Sequence, residues 1–222
     1  MSKRGEEEAA ESSKREDGEN QSRIVQTHQQ QKPLLYLIIC NIQSFNNVRA
    51  LLMTGLAFGC DEILLVGRQI QQQQRQQCDN NDSIKGNKKN NNRLPKDFEY
   101  AMQKGMIRLS QFPKYRDLLQ YLQQEKIHVV GIEIDERSHV LDDSYELPTK
   151  PKIAVFMGNE GQGIHPNHLK SCHDLIRIPQ YGVGTASLNV NVAASIVLHR
   201  FHHLIRKQKQ TSDTHDRKEE KS

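Results

Sequence analysis

The chain alternates short apolar runs, each of the length of a β-strand, with segments whose apolar residues recur at helical spacing. Residues 34–40 (LLYLIIC) form the clearest run, and a continuous apolar stretch of this length is typical of a strand buried on both faces. Strands that alternate with helices usually pair in parallel, so the pattern predicts an α/β domain with a mainly parallel sheet. Five further segments are predicted strands: residues 63–66, 106–109, 127–134, 153–157 and 175–178.

Helical spacing of apolar residues predicts four helices between and after these strands. The first begins at the asparagine pair 46–47, whose side chains suit an N-cap, and ends at Gly59. The second begins at Pro113, and a short third helix covers residues 165–172. A long amphipathic helix closes the domain and ends near Ile205.

The apolar residues are concentrated in one part of the chain. Hydrophobic residues make up only 35% of the 222 residues and the mean hydropathy is −0.77, values that would favour disorder if they held evenly throughout. Because the apolar residues are concentrated instead, the sequence predicts one domain at 33–206 with disordered tails at 1–32 and 207–222. A Gln/Asn-rich tract at 68–96 is predicted to be a disordered surface loop that does not belong to the core.

The positive charge lies mostly in these polar segments. The chain has 31 Lys and Arg against 27 Asp and Glu, a net charge of +4. Residues 68–96 contain seven Lys and Arg and two Asp, whereas the folded part is close to neutral. Basic segments of this kind suit a protein that binds a polyanion, or they form a linker that only keeps the protein in solution.

The sequence predicts an intracellular protein, cytoplasmic or nuclear and not secreted. No run approaches the roughly 18 apolar residues that a membrane-spanning helix needs, so no membrane association is expected. Residues 1–20 contain no apolar signal segment. The four cysteines form no CxxC motif, which favours reduced, structural thiols.

Two glycine-bearing loops follow predicted strands near the C-terminus, at residues 158–163 (GNEGQG) and 179–186 (PQYGVGTA). Parallel α/β sheets bind ligands at the carboxyl ends of their strands, and glycine lets the backbone approach a ligand closely. Neither loop has the pattern of a phosphate-binding loop, and Glu160 disfavours an anionic ligand. The loops therefore predict a site for an uncharged or cationic small molecule, or they are turns that simply require glycine.

Polar side chains cluster at two further places. Ser187, Asn189 and Asn191 lie at the start of the last predicted helix, where they serve either as active-site groups or as helix caps. Histidines 165, 168 and 173 with Cys172 suggest zinc, but their spacing matches no standard site and we expect no metal.

Three stretches together resemble the signature motifs of the SpoU family, the TrmH-like RNA ribose 2′-O-methyltransferases of the SPOUT class. They are residues 44–67 (SFNNVRALLMTGLAFGCDEILLVG), 152–164 (KIAVFMGNEGQGI) and 175–201 (LIRIPQYGVGTASLNVNVAASIVLHRF). The resemblance implies a C-terminal trefoil knot, a homodimer, S-adenosyl-L-methionine as cofactor, and methyl transfer to a ribose 2′-hydroxyl of tRNA or rRNA.

The resemblance also assigns individual residues. Asn47, Glu160, Ser187 and Asn189 match motif residues that shape the active site in the family. The residues that match cofactor-binding segments are Gly158, Asn159, Gly161, Gly163, Ile178, Pro179, Gln180 and Leu188.

One position departs from the family pattern. Six residues after the motif asparagine, the family has an arginine that helps to activate the 2′-hydroxyl, and this chain has Met53. Loss of such a group costs about 10²- to 10⁴-fold in rate if it assists deprotonation. Arg49 lies one helical turn earlier and is predicted to reach the vacated position, or alternatively to contact a phosphate or a carboxylate at a dimer surface. A second interpretation is therefore an RNA-binding dimer of the same fold with weakened or lost catalysis.

Overall fold

The computed structural model describes residues 33–67, 70, 93–182 and 187–219. The predicted tail at 1–32 and most of the predicted loop at 68–96 lie outside these residues. The strands are β1 (Leu34–Cys40), β2 (Glu62–Val66), β3 (Arg108–Phe112), β4 (His128–Ile132), β5 (His139–Val140), β6 (Lys152–Met157) and β7 (Asp174–Arg177). The helices are α1 (Phe45–Ala57), α2 (Lys96–Gln103), α3 (Tyr115–Gln124), α4 (Pro166–Leu169) and α5 (Val190–Glu219).

The strands form one sheet in the order β3-β2-β1-β6-β4-β7-β5, and every described pairing is parallel. The predicted α/β class with a mainly parallel sheet is therefore confirmed. Parallel pairing places the carboxyl ends of all strands at one edge of the sheet. β4 lies between β6 and β7, so the two glycine-bearing loops leave this edge on either side of the end of β4.

The core has one layer on each face of the sheet. β1 shows why, because its alternate residues point to opposite faces and all but the first are buried. Leu35, Leu37 and Ile39 pack with residues of α1 and α5. Tyr36 and Ile38 pack with residues of α3 on the other face. A continuous apolar run is required here because neither face of the strand meets water.

The last helix is longer than the sequence predicted. α5 does not end near Ile205 but continues to Glu219, so residues 207–219 are helical where a disordered tail was expected. Residues 206–219 contain no Gly or Pro and several strong helix formers, so no stop signal follows the last core residue. The apolar pattern ends where the helix leaves the core, and this does not mark the end of the helix.

The predicted loop at 68–96 is too wide at both ends. Ile70 and Leu94 are buried in the core, although the sequence placed them in a surface loop. The Gln111 side chain accepts a hydrogen bond from the Ile70 amide at 2.7 Å, and its own amide group donates one to the Ile70 carbonyl at 3.2 Å. The low-complexity composition of residues 71–92 hid these flanking core residues, together with helix α2, which the sequence analysis missed.

Two further expectations concern topology and membranes. The trefoil knot stays a prediction, because the loop that follows β7 passes through residues 183–186, which lie outside the described part of the chain. No helix among the described residues is long and apolar enough to cross a membrane.

Candidate active site

The loop after β6 folds into a tight hairpin at residues 158–163. Asn159 and Gly163 exchange two backbone hydrogen bonds, at 2.8 and 2.9 Å. The side-chain oxygen of Asn159 also accepts hydrogen bonds from the amides of Gly161 and Gln162, at 2.9 and 3.1 Å. Asn159 therefore shapes the hairpin from the inside, which agrees with its place in a glycine-rich turn.

Two glycines of this hairpin are required by its geometry. A side chain at Gly158 would collide with the backbone of Gly163. Gly163 itself has a φ of +66°, and a side chain there would collide with the carboxylate of Glu133. The glycines are thus needed for a close backbone turn, and that turn also forms a wall of the cavity described below.

Glu133 is a site residue that the sequence analysis missed. It follows β4 directly, between the two glycine-bearing loops, and its carboxylate accepts hydrogen bonds from the amides of Ile164 at 2.7 Å and Ile134 at 3.1 Å. An acidic residue next to the carboxyl end of a buried parallel strand was the available signal. Glu133 fixes the return of the hairpin to the sheet.

Glu160 joins the hairpin to the start of α1. Its carboxylate accepts hydrogen bonds from the amides of Gln43 and Ser44, at 3.1 and 3.2 Å, and from the side-chain amide of Asn47 at 2.9 Å. Partial burial works to raise the pKa of the Glu160 carboxyl, but the hydrogen bond from Asn47 and those from backbone amides outweigh it. The net pKa is lowered, so Glu160 is held as a carboxylate.

A cavity of about 360 Å³ lies at the carboxyl edge of the sheet between the hairpin and the second glycine-bearing loop. It is lined by seven of the eight predicted cofactor-binding residues and by two of the predicted catalytic residues. Pro179 is the predicted cofactor-binding residue that does not line the cavity. The predicted residues that line it are Gly158, Asn159, Gly161, Gly163, Ile178, Gln180, Leu188, Glu160 and Ser187.

The cavity combines charged and apolar groups. Glu133 and Glu160 contribute two carboxylates and Arg177 a guanidinium, whereas Ile178 and Leu188 contribute apolar surface. A cavity of this size with a few polar groups among apolar ones is typical of a small-molecule site. Two carboxylates favour a ligand that carries positive charge.

The predicted catalytic residues outside the cavity lining have other partners. Asn47 binds Glu160, and the side-chain oxygen of Asn189 caps α5 by accepting from the amides of Asn191 at 2.9 Å and Val192 at 3.4 Å. Asn189 thus performs the capping role that the sequence left open. The side-chain oxygen of Asn191 accepts a hydrogen bond from the Thr54 hydroxyl at 2.7 Å and so ties α5 to α1.

Arg49 and Met53 lie on α1 and are not among the residues that line the cavity. The Arg49 guanidinium donates to the Arg93 carbonyl at 2.8 Å and lies 6.0 Å from the ring centroid of Phe45. Met53 is partly buried and packs against the core. The predicted role of Arg49 near the vacated position stays a prediction.

The described residues hold no group of three or more His, Cys, Asp or Glu side chains arranged to bind a metal ion. The histidines of the suggested zinc cluster have other neighbours. His168 stacks on Tyr115, and His173 accepts a hydrogen bond from the Val129 amide at 3.0 Å.

Comparison with known proteins identifies the family. The model of the SpoU rRNA Methylase family matches residues 86–199, just over half of the 222-residue chain. The chain belongs to the SpoU family. The resemblance drawn from the three sequence motifs is confirmed.

Relatives in this family include enzymes that act on ribosomal RNA. The 23S rRNA (guanosine-2'-O-)-methyltransferase RlmB of Vibrio vulnificus is 38% identical over 80 residues, which are 36% of this chain and 30% of that protein. The chain therefore matches less than a third of the length of this curated relative.

Solved structures of SpoU-type proteins share the fold. The AdoMet-bound rRNA methyltransferase from Sinorhizobium meliloti has a TM-score of 0.56 and 20% identity, over 80% of this chain and 57% of that chain. The A. aeolicus TrmH/SpoU tRNA modifying enzyme has a TM-score of 0.56 and 21% identity, over 82% of this chain and 80% of that chain. The predicted SPOUT-type α/β fold is confirmed at this level.

Proposed function

We propose that this chain transfers a methyl group from S-adenosylmethionine to a ribose 2′-hydroxyl of tRNA or rRNA. The observation that carries the proposal is the 360 Å³ cavity, because it gathers nine residues that the SpoU motifs assign to cofactor binding or catalysis. The names of the relatives agree with this activity. The comparisons give no support to the alternative of an inactive binding module.

The residues of the cavity fit this cofactor. S-adenosylmethionine, when bound, supplies an electrophilic methyl group on a positively charged sulfonium. The carboxylates of Glu133 and Glu160 favour a cation, and the apolar side chains of Ile178 and Leu188 suit its nucleoside part. The hairpin offers backbone amides and carbonyls at close range because Gly158 and Gly163 have no side chains to block them.

The chain contributes to the reaction mainly by positioning. Glu160 acts as a positioning residue, since its carboxylate holds Asn47 and the start of α1 against the cavity wall. Ser187 lines the cavity and offers a hydroxyl to the reacting groups. The 2′-hydroxyl must lose a proton as its oxygen bonds to the methyl carbon, and Met53 cannot assist that step. Orientation of the two reactants alone still accounts for a large part of such a rate enhancement.

The proposed active form is a homodimer that uses α5 in its interface. Val192 and Ile196 lie one turn apart on α5 and are 46% and 40% exposed, and Tyr181 is 90% exposed. Ile196 and Tyr181, with Phe58 directly after α1, also line a surface cavity of about 570 Å³. An exposed apolar surface of this kind favours contact with another protein surface. The proposed substrate is RNA, and tRNA and rRNA occur inside cells. The protein is therefore proposed to act inside the cell.

The test is transfer of labelled methyl from S-adenosylmethionine to RNA from source cells that lack this gene. The product is digested to nucleosides and examined for ribose 2′-O-methylation, with wild type run beside Met53→Arg. Label with wild type supports an enzyme that works without the family arginine. Label with Met53→Arg alone would show a degraded catalyst, and label with neither would refute the proposal.

Cofactor binding is measured separately by calorimetry. Leu188→Arg places a bulky cation in the cavity and is expected to abolish both binding of S-adenosylmethionine and methyl transfer. Met106→Arg is the matched control, because Met106 is 65% exposed and lies outside the cavity.

The proposed dimer is tested by light scattering. Ile196→Asp is expected to shift the protein from dimers to monomers, whereas Met106→Asp leaves the measured mass unchanged.

A further inference from the structure

A second cavity, of about 210 Å³, adjoins the hairpin at 158–163. Its walls include Cys40 and Phe156, which belong to the core layer next to α3. The first cavity is instead lined by Met157 and Val190, which belong to the layer next to α1 and α5. The two cavities thus lie on opposite faces of the sheet and share the hairpin as a common wall. The shared residues are Gly158, Asn159, Gln162 and Gly163.

One side of the second cavity is built from stacked rings. The ring of His168 stacks on that of Tyr115 with centroids 3.6 Å apart and planes 15° apart, and Tyr115 stacks in turn on Phe156. The Tyr115 hydroxyl binds the Ser171 hydroxyl, which fixes the stack from behind. The His165 ring lies 5.2 Å from that of His168 and is exposed. This arrangement is a rigid support for a flat ligand.

The chemistry of the second cavity differs from that of the first. Among the described residues, its lining contains no carboxylate, lysine or arginine, whereas the first cavity has two carboxylates and Arg177. Its polar groups are the side-chain amides of Asn41, Gln43, Asn159 and Gln162, two imidazoles and the Cys40 thiol. Burial raises the pKa of the Cys40 thiol to about 12, so it stays protonated.

The size and the groups together select one class of ligand. Sites for drug-sized molecules start at about 300 Å³, so a 210 Å³ cavity suits a single ring system. A nucleobase is flat and uncharged, and it carries hydrogen-bond donors and acceptors that amide side chains match. Proteins that recognise single-stranded RNA stack its splayed bases on aromatic and histidine rings in this manner.

We infer that the second cavity binds an unstacked base of the substrate RNA, within one nucleotide of the ribose that is methylated. The inference rests on the proposed function, because the shared hairpin places this base next to the cavity assigned to the cofactor. A base held here fixes the position of the neighbouring ribose and selects single-stranded or looped RNA.

The first test is ultraviolet cross-linking of the full chain to RNA from source cells that lack this gene, followed by mass spectrometry. Trypsin cleaves after Lys152 and Lys170, so the hairpin and the start of α4 lie on one peptide. Nucleotide adducts on His165 or His168, which line the second cavity and not the first, are expected. Adducts confined to residues outside the second cavity would overturn the inference.

The second test separates stacking from helix capping at His165. Nδ1 of His165 accepts a hydrogen bond from the Asn167 amide at 3.2 Å, so the ring also caps α4. His165→Phe keeps a flat ring and loses the cap, whereas His165→Asn keeps an acceptor and loses the ring. We expect RNA affinity to persist in His165→Phe and to fall about 5- to 150-fold in His165→Asn. The reverse order, or equal affinities, would overturn the inference.

Failure of base binding and failure of the proposed function give different results. Asn167→Ala is the control, because Asn167 is exposed and lines neither cavity. Calorimetry with S-adenosylmethionine is expected to give the same affinity for wild type and all three variants. Absence of cofactor binding and methyl transfer in wild type would refute the proposed function, while cross-links on His165 and His168 report on the second cavity alone.

Discussion

Replacing Glu160 by glutamine is expected to loosen the hairpin at 158–163 from the first turn of α1. The carboxylate accepts three hydrogen bonds there, from the Gln43 and Ser44 amides and from Asn47. A hydrogen bond to a charged group contributes about 1.5–3 kcal/mol, but these groups are partly exposed and glutamine keeps one acceptor oxygen, so we expect a loss of about 1–2 kcal/mol in the free energy of unfolding. For a chain of this size that corresponds to a fall in Tm of about 2–8 °C.

The pH dependence of stability gives a second readout of the same contacts. The pKa of Glu160 is lower in the folded protein than in the unfolded chain, so its stabilisation is complete above the ordinary glutamate pKa of about 4.3 and is lost as the pH falls through the lowered value. Urea unfolding at pH 7 and at acidic pH should therefore show the variant and wild type converging in acid.

The control is Glu136→Gln, which removes the same charge from an exposed position. Its stability should match wild type at both pH values. Equal stability of Glu160→Gln and wild type at pH 7 would refute the view that this carboxylate anchors the hairpin.

Three other changes test separate parts of the structure. Gly163→Ala should abolish binding of S-adenosylmethionine in calorimetry, because its φ of +66° and the carboxylate of Glu133 leave no room for a side chain; unchanged affinity would contradict the hairpin geometry. Arg49→Ala should lower methyl transfer if its guanidinium assists at the position of Met53, and full activity would dismiss that role. Burial, and next the charge of His128, lower the pKa of His173, so the free energy of unfolding should fall as the pH drops below the ordinary histidine pKa of about 6.5. In urea unfolding at several pH values, His173→Gln should make this fall smaller. An equal fall in the variant and wild type would exclude His173 as its source.

Much of the fold could be predicted from local patterns. The run at 34–40 gave a strand buried on both faces, and the pattern of strands and helices gave the parallel sheet. These predictions hold because burial on both faces and helical periodicity each leave a local signature. The two-residue strand β5 has no such signature, since only its pairing with β7 defines it. The end of α5 was missed because its apolar residues stop where the helix leaves the core, whereas the helix itself continues to Glu219.

The site was predictable where a motif requires particular backbone conformations. The predicted Gly158 and Gly163 both lie where the hairpin tolerates no side chain, and their role in cofactor binding stays a prediction. Glu133 was missed because its role depends on the strand order, which brings the end of β4 between two loops that are distant in the sequence. The capping role of Asn189 was left open because asparagine suits both an N-cap and a polar active-site position.

The residues that shape the cavity differ from those that would help to remove the 2′-hydroxyl proton. The cavity depends on backbone turns, on glycines and on carboxylates that hold those turns, and these features are all present in the described structure. Removal of the 2′-hydroxyl proton depends on few side chains, and the position that the family gives to an arginine is Met53, packed against the core. A substitution at Met53 can therefore lower the rate and leave the cavity intact, since Met53 is not among the residues that line it. The ratio of methyl-transfer rates between Met53→Arg and wild type, at equal cofactor affinity, measures how much of the proposed catalysis comes from positioning alone.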